Sequence, residues 1–118
     1  MKNYLFVINQ APYRGSNLQE LFDVILITAA FEQGVSLLLI DDGVFSLKKN
    51  QKMTKSYHKD TAAIFKVLEI YDIHHLYVEV ESLQQRGLKL TDLLLPVQAL
   101  YRKDMGLLFN QQQIVVNQ

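Results

Sequence analysis

The chain contains no cysteine. That excludes disulfides, thiolate metal sites and every thiol-based reaction carried by its own side chains. It also lacks an excess of one charge: 12 Lys and Arg stand against 12 Asp and Glu, for a formal net charge of +0. A surface that coats nucleic acid globally is therefore not expected. No apolar run approaches the roughly 20 residues needed to span a bilayer. Lys2 is followed by a short strand-like run and then polar residues, which is not the pattern of a signal peptide, so a cytoplasmic protein is expected. With 49% hydrophobic and 20% charged residues over 118 positions, a disordered chain is not expected and a single domain over 1–118 is. A chain of this size can hide roughly two thirds of its unfolded surface.

The apolar pattern alternates between two periods. Tyr4 to Ile8 is a compact β-branched and aromatic run, and the loop behind it carries Pro12 and Gly15. Leu18, Leu21, Phe22, Ile25 and Ala29 then recur at helical spacing, with Ser16 and Gln19 in the form of a capping box, predicting a helix from about Asn17 to Gln33. Val35 to Ile40 is uninterrupted and apolar, as suits a strand covered on both faces. Asp60 caps a second helical stripe of Ile64, Phe65, Leu68 and Tyr71, and His75 to Val80 reads as a third strand. Ser82 and Gln85 repeat the capping-box form before Gly87. Leu93 to Val97 reads as a fourth strand with Pro96 confining it to an edge, Ala99 to Leu108 as a helix weakened by Gly106, and Ile114 to Val116 as a last strand. Such alternation predicts an α/β fold, a three-layer α/β/α sandwich with a mostly parallel sheet of about five strands.

Few residues carry the pattern of a reaction site. The first strand-to-helix loop, NQAPYRGSN, has only Gly15 where a dinucleotide fingerprint needs three glycines. Arg14, Ser16 and the helix amides would suit an anion, but a plain capped loop is the simpler reading. The histidines are His58, His74 and His75, with no His-x-x-x-His spacing to build a metal shell, and no Gly-x-Ser-x-Gly elbow occurs. No cofactor is expected. Lys48, Lys49, Lys52, Lys55 and Lys59 form a basic stretch that reads as a solvated loop or as a docking surface for an acidic partner or RNA. Glu79 and Glu81, two apart at the end of the third strand, should share a face and read as a solvated or interface-lining pair. Asp41 and Asp42 follow the second strand. Gly43 would permit the positive φ that ends a strand abruptly, and Val44 and Phe45 would then be thrown outward or into a neighbour. IDDGVF thus reads as a structural and interface turn, with Phe45 as an anchor between subunits.

Four stretches in this order carry a resemblance: FVINQAPYRGSNLQELFDVILITAAF, LIDDGVFSLKKNQ, FKVLEIYDI and SLQQRGL. Together they resemble the DsrE/DsrF/DsrH group of sulfur-relay proteins, most closely its TusC/DsrF branch. The resemblance implies a DsrE-like three-layer fold and assembly with related DsrE-like (TusD-like) and DsrH-like (TusB-like) subunits into a heterohexamer. That assembly passes persulfide sulfur toward a downstream acceptor protein and, in the Tus system, to the 2-thio group of wobble uridine in tRNA. The related catalytic subunit holds its persulfide on a cysteine near the end of the third strand. This chain has Val78, Glu79, Val80 and Glu81 there, so the resemblance implies a non-catalytic subunit. Two other classes compete: a small acid-base enzyme using these carboxylates, and an anion- or RNA-binding module using the lysine stretch.

Overall fold

In the computed structural model, residues 3–10, 17–31, 34–47, 68, 73, 75–93 and 97–117 are described. The strands are β1 (Asn3–Ile8), β2 (Gly34–Leu39), β3 (His75–Glu79), β4 (Gln98–Leu100) and β5 (Ile114–Asn117). They form one five-stranded sheet in the order β4-β3-β2-β1-β5. Every neighbouring pair is parallel. Among the described residues the α-helices with both ends defined are α1 (Asn17–Phe31), α2 (Val80–Gln85) and α3 (Met105–Asn110).

Strand periodicity sorts the apolar residues onto two faces. Phe6 and Ile8 of β1, Leu37 and Leu39 of β2, and Leu76 and Val78 of β3 pack with Leu21, Phe22 and Ile25 of α1 and Leu83 of α2. The opposite face presents Leu5, Val7 and Leu38, which pack against Leu108 of α3. Helices thus cover both faces, which explains why β1 and β2 read as apolar runs rather than as alternating ones. The second face has the smaller core, because a helix of six residues lies over it. Exposed apolar side chains on α1 include Ile27 and Phe31. Among the described residues no helix is long and apolar enough to cross a membrane.

The three-layer, parallel-sheet expectation holds, and the first three strands lie within a residue of their expected limits. The chain after Gly87 departs from it. Pairing with β3 falls on Gln98–Leu100; of the expected strand Leu93–Val97, Leu93 is a bridge residue buried in the core and residues 94–96 lie outside the described residues. Where one helix was expected over Ala99 to Leu108, the chain completes β4, makes a 3-10 turn at Arg102–Asp104 and only then enters α3. The cause is tertiary: Tyr77 pairs with Gln98 and Glu79 with Leu100, so an exposed, weakly apolar segment becomes the edge strand by pairing with β3. Gly106 sits in the first turn of α3, where it costs less than in mid-helix. The expected helix beginning at Asp60 lies outside the described residues, apart from Leu68.

Candidate functional site

The carboxyl ends of β2 and β3 bring the candidate carboxylates close together. After β2 the chain turns through a 3-10 helix, Asp41–Leu47. Its left-handed residue is Asp41, with φ 50°, and not Gly43. Gly43 is required for a different reason: a Cβ there would stand 1.9 Å from the carbonyl oxygen of Ile8. That carbonyl already accepts the Ile40 amide at 3.0 Å, so the turn is pressed against the end of β1 and admits no side chain. Val44 is fully buried in the core of this chain, a correction to the outward position expected of it. Phe45 and Asp42 are half-buried, and Asp41 is exposed.

Across from this turn, β3 passes straight into α2. Glu79 is the extended residue at the junction and caps the helix without a side-chain bond, while Ser82 lies inside α2 and is not its cap. Glu79 is only 3% exposed, which overturns the solvated alternative for this residue and leaves the interface-lining one untouched. A buried carboxylate demands partners. Arg102 supplies them as a fork, Nε to Oε2 and Nη2 to Oε1, each at 3.0 Å. The Ser82 hydroxyl donates to Oε1 of the same carboxylate. The Arg102 hydrogen bond holds the Glu79 carboxyl below its ordinary value against the opposing effect of burial, with further help from Ser82 and from the charges of Arg102 and Arg86. Glu79 reciprocally raises the proton affinity of Arg102.

The same cluster ties the turn to the helix. The Asp41 amide donates to the Ser82 oxygen at 2.8 Å. Arg86 donates from Nε to Asp42 at 2.9 Å and from Nη1 to the Ser82 carbonyl at 3.2 Å. Glu81 accepts the backbone amide of Arg102 at 2.9 Å. Glu79 and Glu81 therefore meet at Arg102 rather than on a strand face, since the helix begins between them. Asp41 and Asp42 do not converge on a common ligand, one acting through its amide and the other through Arg86. Among the described residues no three His, Asp or Glu side chains gather as a metal shell.

Chemically the cluster is a clasp. Glu79 is kept ionised and its oxygens are occupied, so it is poorly placed to exchange a proton with a substrate. Sequence reasoning missed Ser82, Arg86 and Arg102 as its members. The available signal was the spacing of Glu79 and Ser82, three apart, which a helix places within reach. Arg102 had no local signal, because the Glu79–Leu100 register brings it there. Arg14, His58, His74 and the lysine stretch lie outside the described residues, and His75 is exposed at the far end of β3.

Residues 2–117 match the DsrE/DsrF-like family. The chain belongs to that family. It is 35% identical over 116 residues to a TusC homolog of Vibrio vulnificus, with 98% of each chain covered. A TusC homolog of Aliivibrio fischeri matches at 35% over 112 residues, covering 94% of this chain and 95% of the other. The intracellular sulfur oxidation protein DsrF of Allochromatium vinosum matches at 34% over 93 residues, covering 79% of this chain and 68% of the other. Among solved structures, the ychN protein of E. coli superposes with a TM-score of 0.83 at 18% identity, each chain covered completely. At that identity the likeness concerns the fold alone. In this DsrE/DsrF-like chain, the end of β3 carries the Glu79–Arg102 clasp.

Proposed function

We propose that the chain is a non-catalytic subunit of a hetero-oligomeric sulfur-relay complex. It works in the cytoplasm beside TusD-like and TusB-like relatives in a heterohexamer, and supports persulfide transfer on its thiol-bearing relative for 2-thiolation of wobble uridine in tRNA. The observation that carries this reading is the absence of any cysteine in a chain that matches a TusC homolog over 98% of both lengths. A relay needs a thiolate that accepts and releases sulfane sulfur. Where the resemblance places that thiolate, this chain holds a buried carboxylate neutralised by arginine. The half-buried Phe45, on the turn the clasp fixes, is the residue we assign as interface anchor.

Co-expression with its DsrE-like relatives, followed by size and mass measurement, tests the assignment. The expected result is a stable complex in which sulfur from a persulfide donor loads the partner's cysteine and the isolated chain gains no reducible mass. Phe45→Ala should loosen the complex more than it lowers the melting temperature of the isolated chain. Labile sulfur on the isolated chain, or full thiolation of tRNA when this subunit is omitted, would overturn the reading.

A further inference from the structure

The inner side of α1 packs on the sheet through Leu21, Phe22 and Ile25. Its outer side should be polar, as the solvent side of a surface helix normally is. Glu20 and Asp23 meet that expectation in the first two turns, where both are exposed. Beyond them it fails. The rest of the helix, Val24 to Phe31, reads VILITAAF, and its one polar side chain, Thr28, turns its hydroxyl back to donate to the Val24 carbonyl at 2.8 Å. Val24 is 49% exposed, Ile27 61% and Phe31 85%. Spacings of three and four place these three on one side of the helix, a narrow seam of the kind along which a second helix packs. Apolar side chains exposed singly need no explanation, but contiguous ones rimmed by polar groups mark an interaction site.

Charge decides what covers this seam. From Gly15 to Leu47 the sequence holds no Lys, Arg or His, and the last turn of α1 has no basic residue to answer its carbonyl dipole. A second copy of the chain is a poor match. Packed parallel, it would set Glu20 and Asp23 against the same two acids. Packed antiparallel, it would set them against a helix end with no base, followed in sequence by Glu32. Like charges facing across a contact suppress pairing, whereas Lys or Arg on a partner would answer both the acids and the carbonyl end.

We propose that the outer side of α1 is a docking surface for an amphipathic helix of a different chain, apolar along its seam and flanked by Lys or Arg. Ile27 stands at the centre of the seam and Phe31 is its largest anchor, while Glu20 and Asp23 steer the basic flank into register. The inference rests on the assembly reading above, to which it adds a contact surface separate from the Phe45 turn and the chemistry of the partner that fits it.

The test is titration of the full chain with its purified DsrE-like relatives, read by sedimentation and by association kinetics at low and high salt. Alone, the chain should sediment as a monomer. Ile27→Ser and Phe31→Ser change exposed side chains, so each should leave the melting temperature of the chain unchanged while weakening the complex about tenfold or more. Glu20→Lys combined with Asp23→Lys should slow association about tenfold at low salt, and the difference should vanish near ~1 M salt, where charges are screened within about 3 Å. A complex that forms and is indifferent to both serine variants overturns the surface and leaves the assembly reading standing, whereas no complex with any relative overturns both. An oligomer of the chain alone that Phe31→Ser dissociates would give the face to a second copy, and a charge reversal without effect at low salt would remove the basic flank. Either result overturns the proposal.

Discussion

At the carboxyl ends of β2 and β3, Glu79 is buried under Arg102 and Ser82, and Asp41 and Asp42 are tied to α2. At the amino ends of the same strands, Ser36, His75 and Tyr77 border a cleft without charged walls among its described residues. Open α/β sheets usually place ligands beyond the carboxyl ends of their strands. Here the described residues of that end are tied up in the protein's own ion pairs, and a cleft lies at the opposite end. The difference predicts that substitutions in the clasp injure the fold, whereas substitutions in the cleft cost little stability.

The largest effect should come from Gly43→Ala. The new Cβ would stand 1.9 Å from the Ile8 carbonyl oxygen, a backbone atom with no rotamer to yield. Moving the turn would disturb the Ile40 amide bond to that oxygen and the buried Val44. Overpacking of this severity is expected to cost about 3 kcal/mol or more. Denaturant unfolding checks it, and a loss below about 1 kcal/mol would mean that the turn is softer than its geometry implies.

Glu79→Gln should come next, at about 1–3 kcal/mol, because it replaces charge-assisted bonds to Arg102 and Ser82 by weaker ones in a buried place. Its dependence on pH separates the ion pair from simple packing. The folded carboxyl titrates below its unfolded value, so its contribution is fully present above the unfolded pKa and is lost as pH falls through the folded one. The gap in stability between the natural chain and Glu79→Gln should therefore close as the solution is made acid. A gap that stays constant would assign the loss to shape rather than charge. Ser82→Ala and Glu79→Gln should add only in part, since both weaken the Ser82–Glu79 bond while Ser82→Ala alone also removes the acceptor of the Asp41 amide.

The two ends also differ in how much of them the sequence disclosed. The strands were legible because β1 and β2 are buried on both faces, and helical spacing marked α1. The acidic residues of the clasp were visible as candidates, but their role was not. Arg102 reaches Glu79 through the pairing of β4 with β3, a contact between segments 23 positions apart that no local pattern encodes. Gly43 drew attention for a conformation it does not adopt, because close approach of β1 is equally invisible in a linear pattern. Ser36 lies inside the run Val35 to Ile40 that reads as uninterrupted, so the pattern gave no trace of the cleft, which the loop residues Gln111 and Gln112 complete only in three dimensions.

The smallest effect, and the one that bears most directly on the amino-terminal end, is expected from Ser36→Val. Ser36 is 8% exposed in the middle of GVSLLL, a place where β-branched apolar residues are favoured. If the serine is there to line a binding site, valine should leave the fold unharmed or stabilise it by about 0.5 kcal/mol, as substitutions at functional positions often do. The added methyls would narrow the cleft next to Tyr77 while the melting temperature holds or rises. A loss of more than about 1 kcal/mol would instead mark the hydroxyl as a structural group whose removal leaves a buried partner unpaired. The amino-terminal end would then resemble the clasp, and the contrast between the two ends of the sheet would disappear.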